Sequence, residues 1–225
     1  MPLRAVLFDF DGLILDTEWP ELESWTEVYA EHGHAYPDDV WKGVIGRGPE
    51  QEALRAETLL AEWTGLPIDL LEKEYAVRKL DKILAEVVLP GVVDRLNEAE
   101  AMGLRIAAVS SSSRAWVEGH LGRLGLWNRF ERSFCSDDVT RTKPFPDLYL
   151  LALSTLGVAA GEAIVFEDSP NGVAAAKAAG IRVIAIPNRL TIQLDLSAAD
   201  AVAESLAVVS LQSMSGGWGL IQGEN

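Results

Sequence analysis

The sequence is poor in the residues that build cross-links and soft-metal sites. Its 225 residues include one cysteine, Cys135, and three histidines, His32, His34 and His120. A single thiol excludes an intrachain disulfide, a Cys-based zinc cluster and a thiol-rich redox motif. Cys135 itself reads as a small buried apolar residue in a short strand. The histidines are not at metal-ligand spacing with one another and read as surface or helix-end residues.

Basic charge is scarce as well: 19 Lys and Arg stand against 34 Asp and Glu, a formal net charge of −15. That balance repels a nucleic-acid backbone or an anionic membrane at long range, so neither is expected as a partner. A small anionic substrate stays possible where a metal and one or two cations neutralise it locally. No apolar run reaches the ~18 residues of a membrane span. The opening MPLRAV runs directly into a strand, without the basic region, long apolar segment and cleavage site of a signal peptide. A soluble, cytoplasmic chain is the expectation. No repeat or low-complexity segment stands out, and the glycine-rich end SGGWGLIQGEN is expected to fray.

What is present is organised around Ala5 to Glu18, AVLFDFDGLILDTE. An apolar run of strand length stops at two carboxylates one residue apart, Asp9 and Asp11, and Gly12 supplies a sharp turn. In a parallel α/β sheet, the end of a buried strand opens on the crevice where ligands bind. From Glu18 to about Val88 the pattern is helical throughout. Leu22, Trp25 and Tyr29 recur at helical spacing before Gly33. A loop or short helix rich in glycine follows over Pro37 to Gly48, and a second helix is expected from Pro49 to about Trp63. A third is expected from near Asp69, with Glu72 completing a capping box and Leu80, Ile83, Leu84 and Val87 forming the apolar face. Four of the seven tryptophans, Trp19, Trp25, Trp41 and Trp63, fall in this segment and are expected mostly in its core.

After Pro90-Gly91 strands and helices alternate. Strands are expected at Leu104–Val109, Ser133–Cys135, Ala163–Phe166, Ile181–Ile186 and, weakly, Ala201–Ala203. Helices are expected at Val92–Met102, around Val117–Leu124, and at Asp147–Leu156 and Gly172–Ala179. The pattern implies a Rossmann-like, three-layer, mostly parallel α/β sheet. An α-helical domain, 16–89, is inserted after the first strand of a core made of 1–15 and 90–225, with hinges near Leu15 to Glu18 and Val88 to Gly91.

Polar residues recur at the C-terminal ends of the expected strands: Asp9 and Asp11, Ser110, Lys143 in a loop, and Glu167 with Asp168. Such ends converge on one crevice in a doubly wound sheet. Carboxylates, a hydroxyl and an ammonium suit a hard divalent cation and a phosphate, and oxygen-only ligands favour Mg²⁺.

Four segments, FDFDGLILDTE, AAVSSSS, TKPFPDLY and IVFEDSPNG, occur in the order of the motifs of the haloacid dehalogenase-like superfamily. The chain resembles its branch of small-molecule phosphatases and β-phosphoglucomutase-like enzymes, whose α-helical cap matches the insertion in position and character. The resemblance implies that Asp9 is a nucleophile forming an aspartyl-phosphate and that Asp11 is the general acid and base. It implies that Asp9, the Asp11 main-chain carbonyl, Asp168 and Glu167, as ligand or as a partner behind the ligands, bind Mg²⁺. Ser110 and the N–H of Ser111 would hold the phosphoryl oxygens, with Lys143 as the compensating cation.

Asp11, two residues past the nucleophile, fits phosphoryl transfer and not the dehalogenase or phosphonatase branches. Sugar phosphomutases of this branch carry a histidine five residues after the position of Asp16, where this chain has Glu21. A Mg²⁺-dependent phosphatase of a small phosphorylated metabolite, with sugar or polyol phosphates first, is therefore expected over a phosphomutase. Lys42 and Arg47, in the WKGVIGRG loop that resembles the cap's specificity loop, are candidate substrate contacts. A monomer is expected. A phospho-aspartate signalling receiver is the alternative from another class, although its acidic pair would precede the phosphorylated aspartate, and a catalytically dead metabolite-binding module is disfavoured because every expected catalytic residue type is present.

Overall fold

Short, mostly apolar runs of two to five residues form the parallel strands of this chain. The computed structural model describes residues 2–38, 40 and 55–215. Two compact units are present, one of residues 1–15 with 88–225 and one of residues 16–87.

The first unit is a six-stranded, all-parallel sheet in the order β3-β2-β1-β4-β5-β6. Its strands are β1 (Ala5–Phe8), β2 (Arg105–Val109), β3 (Arg132–Phe134), β4 (Ala163–Glu167), β5 (Arg182–Ala185) and β6 (Ala201–Val202). β1 is central, with Ala5 to Phe8 paired to Arg105–Ala108 on one side and to Ala163–Phe166 on the other. Alternate residues Ala5, Leu7, Ala107, Val109, Ala163, Val165 and Val183 form one core. That core is closed by Leu148, Tyr149 and Ala152 of one helix (Asp147–Leu156) and Val173, Ala175 and Ala176 of another (Pro170–Ala178). The intervening residues Val6, Phe8, Ile106, Ala108, Ile164 and Phe166 are equally buried, with Phe8 against Phe130 and Phe166. Burial of both strand faces is the mark of a three-layer α/β core.

In the second unit, α1 (Glu18–Glu31), α2 (Ala56–Thr64) and α3 (Ile68–Ala85) enclose Trp25, Val28, Tyr29, Val40, Ala56, Leu60 and Leu71. Trp25 stacks on Tyr75 at 4.3 Å, and the Tyr29 hydroxyl donates to the Ala56 carbonyl at 2.7 Å. Asp16 accepts the Trp19 N–H at 3.0 Å and so caps the start of α1.

Two expectations for this unit need correction. α3 begins at Ile68 behind Pro67, which fixes the entry, while Asp69 lies exposed in the first turn beside Lys73 and forms no capping box. Its buried positions are Leu71 and Ile83, whereas Leu80, Leu84 and Val87 are exposed. The physical reason is that α3 meets α1 through charge as much as through apolar packing. Lys79 pairs with Glu21 at 3.0 Å, Lys82 with Glu27 at 2.7 Å, and Arg78 with Glu31. Trp63 is likewise about half exposed and does not sit in the core. The expected loop over Pro37 to Gly48 and the start of the second helix fall mostly outside the described residues.

The remaining helices of the sheet unit, numbered on in chain order, are α4 (Val92–Ala101), α5 (Arg114–Arg123), α6 (Asp147–Leu156), α7 (Pro170–Ala178) and α8 (Leu211–Ser215). The chain leaves β1 through Leu15, which bridges Val88 in antiparallel fashion, and the Leu89 N–H donates to the Ile14 carbonyl at 3.0 Å. The outgoing and returning segments therefore lie side by side. Among the described residues, no helix is long and apolar enough to cross a membrane.

Candidate active site

The strand order reverses about β1, so the C-terminal ends of β2, β1 and β4 face one crevice. Main-chain hydrogen bonds extend the ladders past those ends: the Asp9 N–H donates to the Phe166 carbonyl at 3.0 Å and the Ser110 N–H to the Phe134 carbonyl at 2.9 Å. The side chains of Asp9 and Ser110 are thereby fixed at the sheet edge.

Asp9, Glu167 and Asp168 are all buried, and one carboxylate oxygen of each lies within 4.8 Å of the other two. Lys143, arriving from the loop after β3, is buried among them. Its ammonium donates to Asp9 Oδ1 at 2.6 Å, the Val109 carbonyl at 2.8 Å and Glu167 Oε1 at 2.5 Å. Burial opposes its charge, but Asp9 and Glu167 outweigh that and hold Lys143 above its ordinary pKa. Burial first, and then the Glu167 carboxylate, push Asp9 up to about 8 against the pull of Lys143. Three acids around one ammonium leave surplus negative charge in a buried space, which a hard divalent cation relieves. The donor set therefore fits Mg²⁺.

Glu167 is the most heavily engaged acid. Oε1 accepts from Lys143 and, at 2.9 Å, from the Tyr149 hydroxyl. Oε2 accepts the Asp168 N–H at 3.1 Å, the Ser169 N–H at 3.3 Å and the Ser169 hydroxyl at 3.2 Å. Burial, then Glu167, keep the Tyr149 phenol protonated, as a donor must be. Of the two alternatives open for Glu167, this engagement favours a partner that anchors Lys143 over a direct ligand. Asp168 accepts from Asn188 Nδ2 at 2.8 Å. Gly12, at φ +79°, lets that contact form, because a Cβ there would stand 2.4 Å from Asp168 Oδ2 and 2.6 Å from Asn188 Nδ2.

The Asp11 side chain is held by hydroxyl and indole donors. Its Oδ2 accepts from the hydroxyls of Ser110 at 2.9 Å and Ser112 at 2.7 Å, and its Oδ1 from Trp116 Nε1 at 2.9 Å. Ser110 Oγ also accepts the Ser112 N–H at 2.9 Å. Ser111 lies between them, half-buried. The structure thus brings together Asp9, Asp11, Ser110, Lys143, Glu167 and Asp168 at neighbouring strand ends, whereas Lys42 and Arg47 lie outside the described residues.

His120 lies in the last turn of α5, as a helix-end residue is expected to, but it is not on the surface. It is buried beneath the edge of the Trp116 ring at 4.3 Å. Cys135 is a buried free thiol whose pKa burial pushes up to about 11, which fits an inert packing residue.

Four neighbours of the site, Ser112, Trp116, Tyr149 and Asn188, were not singled out from the sequence. Ser112 and Tyr149 lie within AAVSSSS and TKPFPDLY, and Asn188 follows an apolar strand, so each carried a weak signal. Trp116 carried none.

A crevice at the strand ends, lined with acids and a buried lysine, defines a class: the chain belongs to the haloacid dehalogenase-like hydrolases, whose family model matches residues 6–186. Solved structures that share its fold include β-phosphoglucomutase-like proteins. YhcW of Bacillus subtilis (strain 168) is 41% identical over 214 residues, covering 93% of this chain and 94% of that protein. A "Phosphorylated carbohydrates phosphatase" of Thermotoga maritima is 33% identical over 89% of this chain and 93% of its own length. Among solved structures, CbbY from Rhodobacter sphaeroides in complex with phosphate superposes with a TM-score of 0.71 at 27% identity, covering 93% of this chain and 98% of that one. The family match removes the signalling-receiver reading.

Proposed function

We propose that this phosphoric monoester hydrolase is a Mg²⁺-dependent phosphatase of small phosphorylated metabolites, sugar or polyol phosphates first, working through an aspartyl-phosphate at Asp9. The observation that carries this reading is Lys143 held between Asp9 and Glu167 beside Asp168, with Asp11 on separate partners. The phosphatase that gives the Thermotoga relative its name supports the carbohydrate class.

Asp9 and Asp168, with the Asp11 main-chain carbonyl, would hold Mg²⁺, which when bound lowers the charge of the site and keeps Asp9 ionised. Asp9 then attacks phosphorus through a carboxylate oxygen while the ester P–O bond breaks, and the leaving oxygen takes its proton from Asp11. Water next attacks the aspartyl-phosphate, gives its proton to Asp11, and releases Asp9 and inorganic phosphate. Lys143 stabilises charge on the transferring group, and Glu167, with five donors upon it, fixes that ammonium. Ser110 and Ser111 would hold the phosphoryl oxygens.

The helical unit, 16–87, would act as the cap that selects the substrate, with Lys42 and Arg47 as proposed contacts. Glu21, paired with Lys79 where a phosphomutase has histidine, favours hydrolysis over mutase chemistry.

The test is release of inorganic phosphate from a panel of sugar, polyol, glycolate and nucleotide monophosphates, with Mg²⁺ or with chelator, by wild type and Asp9→Asn. The expected result is release that needs Mg²⁺, is greatest with sugar or polyol phosphates and is lost in the variant. A variant as active as wild type would remove Asp9 from the mechanism.

A further inference from the structure

Ser110 is given two tasks that compete. In the proposed reaction its hydroxyl serves the phosphoryl group, yet in the structure it donates to Asp11 Oδ2 at 2.9 Å. When a phosphoryl group draws that hydroxyl away, Asp11 loses one donor at the moment its position matters most. Two further donors come from farther along the same segment: the Ser112 hydroxyl at 2.7 Å on Oδ2 and the Trp116 indole N–H at 2.9 Å on Oδ1. They hold different oxygens of one carboxylate, so together they fix its rotation as well as its place.

We propose that Trp116 and Ser112 are positioning residues that hold the Asp11 carboxylate in place when Ser110 turns to the substrate phosphoryl group. The proposal rests on the reading of Asp11 as the proton-transfer residue and extends it to Ser112, within AAVSSSS, and to Trp116, outside the four motifs.

The indole is built to stay where it is. Trp116 lies in the first turn of α5, where its main-chain N–H donates to the capping hydroxyl of Ser113 at 3.4 Å. Its ring meets His120, one turn further on, edge to face at 4.3 Å and 69°. His120 is buried, lies 6.3 Å from the ring of Phe10, and accepts from Arg123 Nε through Nδ1 at 3.3 Å. Phe10 separates Asp9 from Asp11 in the chain, so the residue between the two acids and the indole that holds the second share one support. Indole also has a donor and no acceptor. It can fix a carboxylate without competing for the proton that the carboxylate carries.

A misplaced acid affects a poor leaving group and spares a good one. An alkoxide needs a proton as the P–O bond breaks, whereas p-nitrophenolate leaves without one. The parameter to compare is kcat/KM, which reports steps up to loss of the leaving group and so excludes the later hydrolysis. The experiment measures it for a sugar phosphate and for p-nitrophenyl phosphate in wild type, Trp116→Phe, Ser112→Ala and Asp11→Asn. Phenylalanine keeps an aromatic ring beside His120 and removes the N–H together with part of the indole, so the comparison between the two esters, and not the loss itself, is the readout.

Trp116→Phe is expected to lower kcat/KM for the sugar phosphate ~tenfold more than for p-nitrophenyl phosphate, the order of one hydrogen bond to a charged group. Ser112→Ala should act in the same direction, and Asp11→Asn should show the same selectivity with a larger loss. Equal loss on both esters, or none on either, in Trp116→Phe and Ser112→Ala while Asp11→Asn stays selective overturns the positioning role and leaves the phosphatase reading standing. An unselective Asp11→Asn overturns the acid/base assignment itself.

Discussion

Glu167 shows how much one residue's role depends on partners that lie far away in sequence. Its five donors come from Lys143 in a loop, Tyr149 in α6, and the turn at Asp168 and Ser169. The acid itself was legible, as a charge ending an apolar strand, but its commitment to Lys143 was not, because no spacing links 143, 149 and 167. Trp116 was hidden for the same reason, and Asn188 showed only as a polar residue following an apolar strand. Gly172 carries a matching constraint. A Cβ there would stand 1.8 to 2.0 Å from the Glu167 carboxyl group, so only glycine lets α7 abut that side chain. Gly172→Ala is therefore expected to cost about 2–3 kcal/mol, in the range of an overpacked core. In a thermal melt that corresponds to a fall of about 4–12 °C for a chain of this size. Phosphate release should fall as well, since Glu167 anchors Lys143. An unchanged melt would show that α7 shifts to make room at little cost.

At the scale of elements, the strands were legible nearly to the residue, since buried parallel strands are short apolar runs that end in polar groups. α6 was legible at both ends, from Pro146 before it to Gly157 after it. The helices described in the second unit were legible in position and not in facing. In α3 the apolar spacing of Leu80, Ile83 and Leu84 outweighed the lysines and arginine that meet α1, and periodicity cannot tell which of two stripes is covered.

The short α8 had no signal beyond its glycine-rich surroundings, because what pins it is distant: Glu98 of α4 accepts the Ser210 hydroxyl at 2.8 Å and the Gln212 N–H at 2.9 Å. Burial works against the Glu98 charge, but the main-chain N–H groups of Gln212 and Leu211, then Ser210 and Arg95, prevail and hold its pKa below the ordinary 4.5. A depressed folded pKa gives stability that is present above the unfolded value and lost as pH falls through the folded one. Wild type should therefore melt above Glu98→Gln at pH 7, with the gap closing as pH falls below about 4.5. A gap independent of pH down to pH 3 would show that the Glu98 charge plays no part in holding α8.

For the whole molecule, the excess of acids coexists with a site for an anionic ester because the cations that matter are local. Lys143 is buried at the strand ends, and a divalent cation among Asp9, Glu167 and Asp168 would lower the remaining charge. The broad outline, an α/β sheet interrupted after its first strand by a long helical segment, was readable because the segment lacks any strand-like run. The central claim is that the phosphoryl group passes through Asp9, and chemical trapping tests it most directly. The full-length protein is mixed with Mg²⁺ and a sugar phosphate it hydrolyses, quenched into borohydride, which reduces an acyl phosphate to the alcohol, and digested for mass spectrometry. Homoserine is expected at position 9, formed only with substrate and lost in Asp9→Asn. Phosphate release with no reduced residue, or reduction at Glu167 or Asp168 instead, would contradict it.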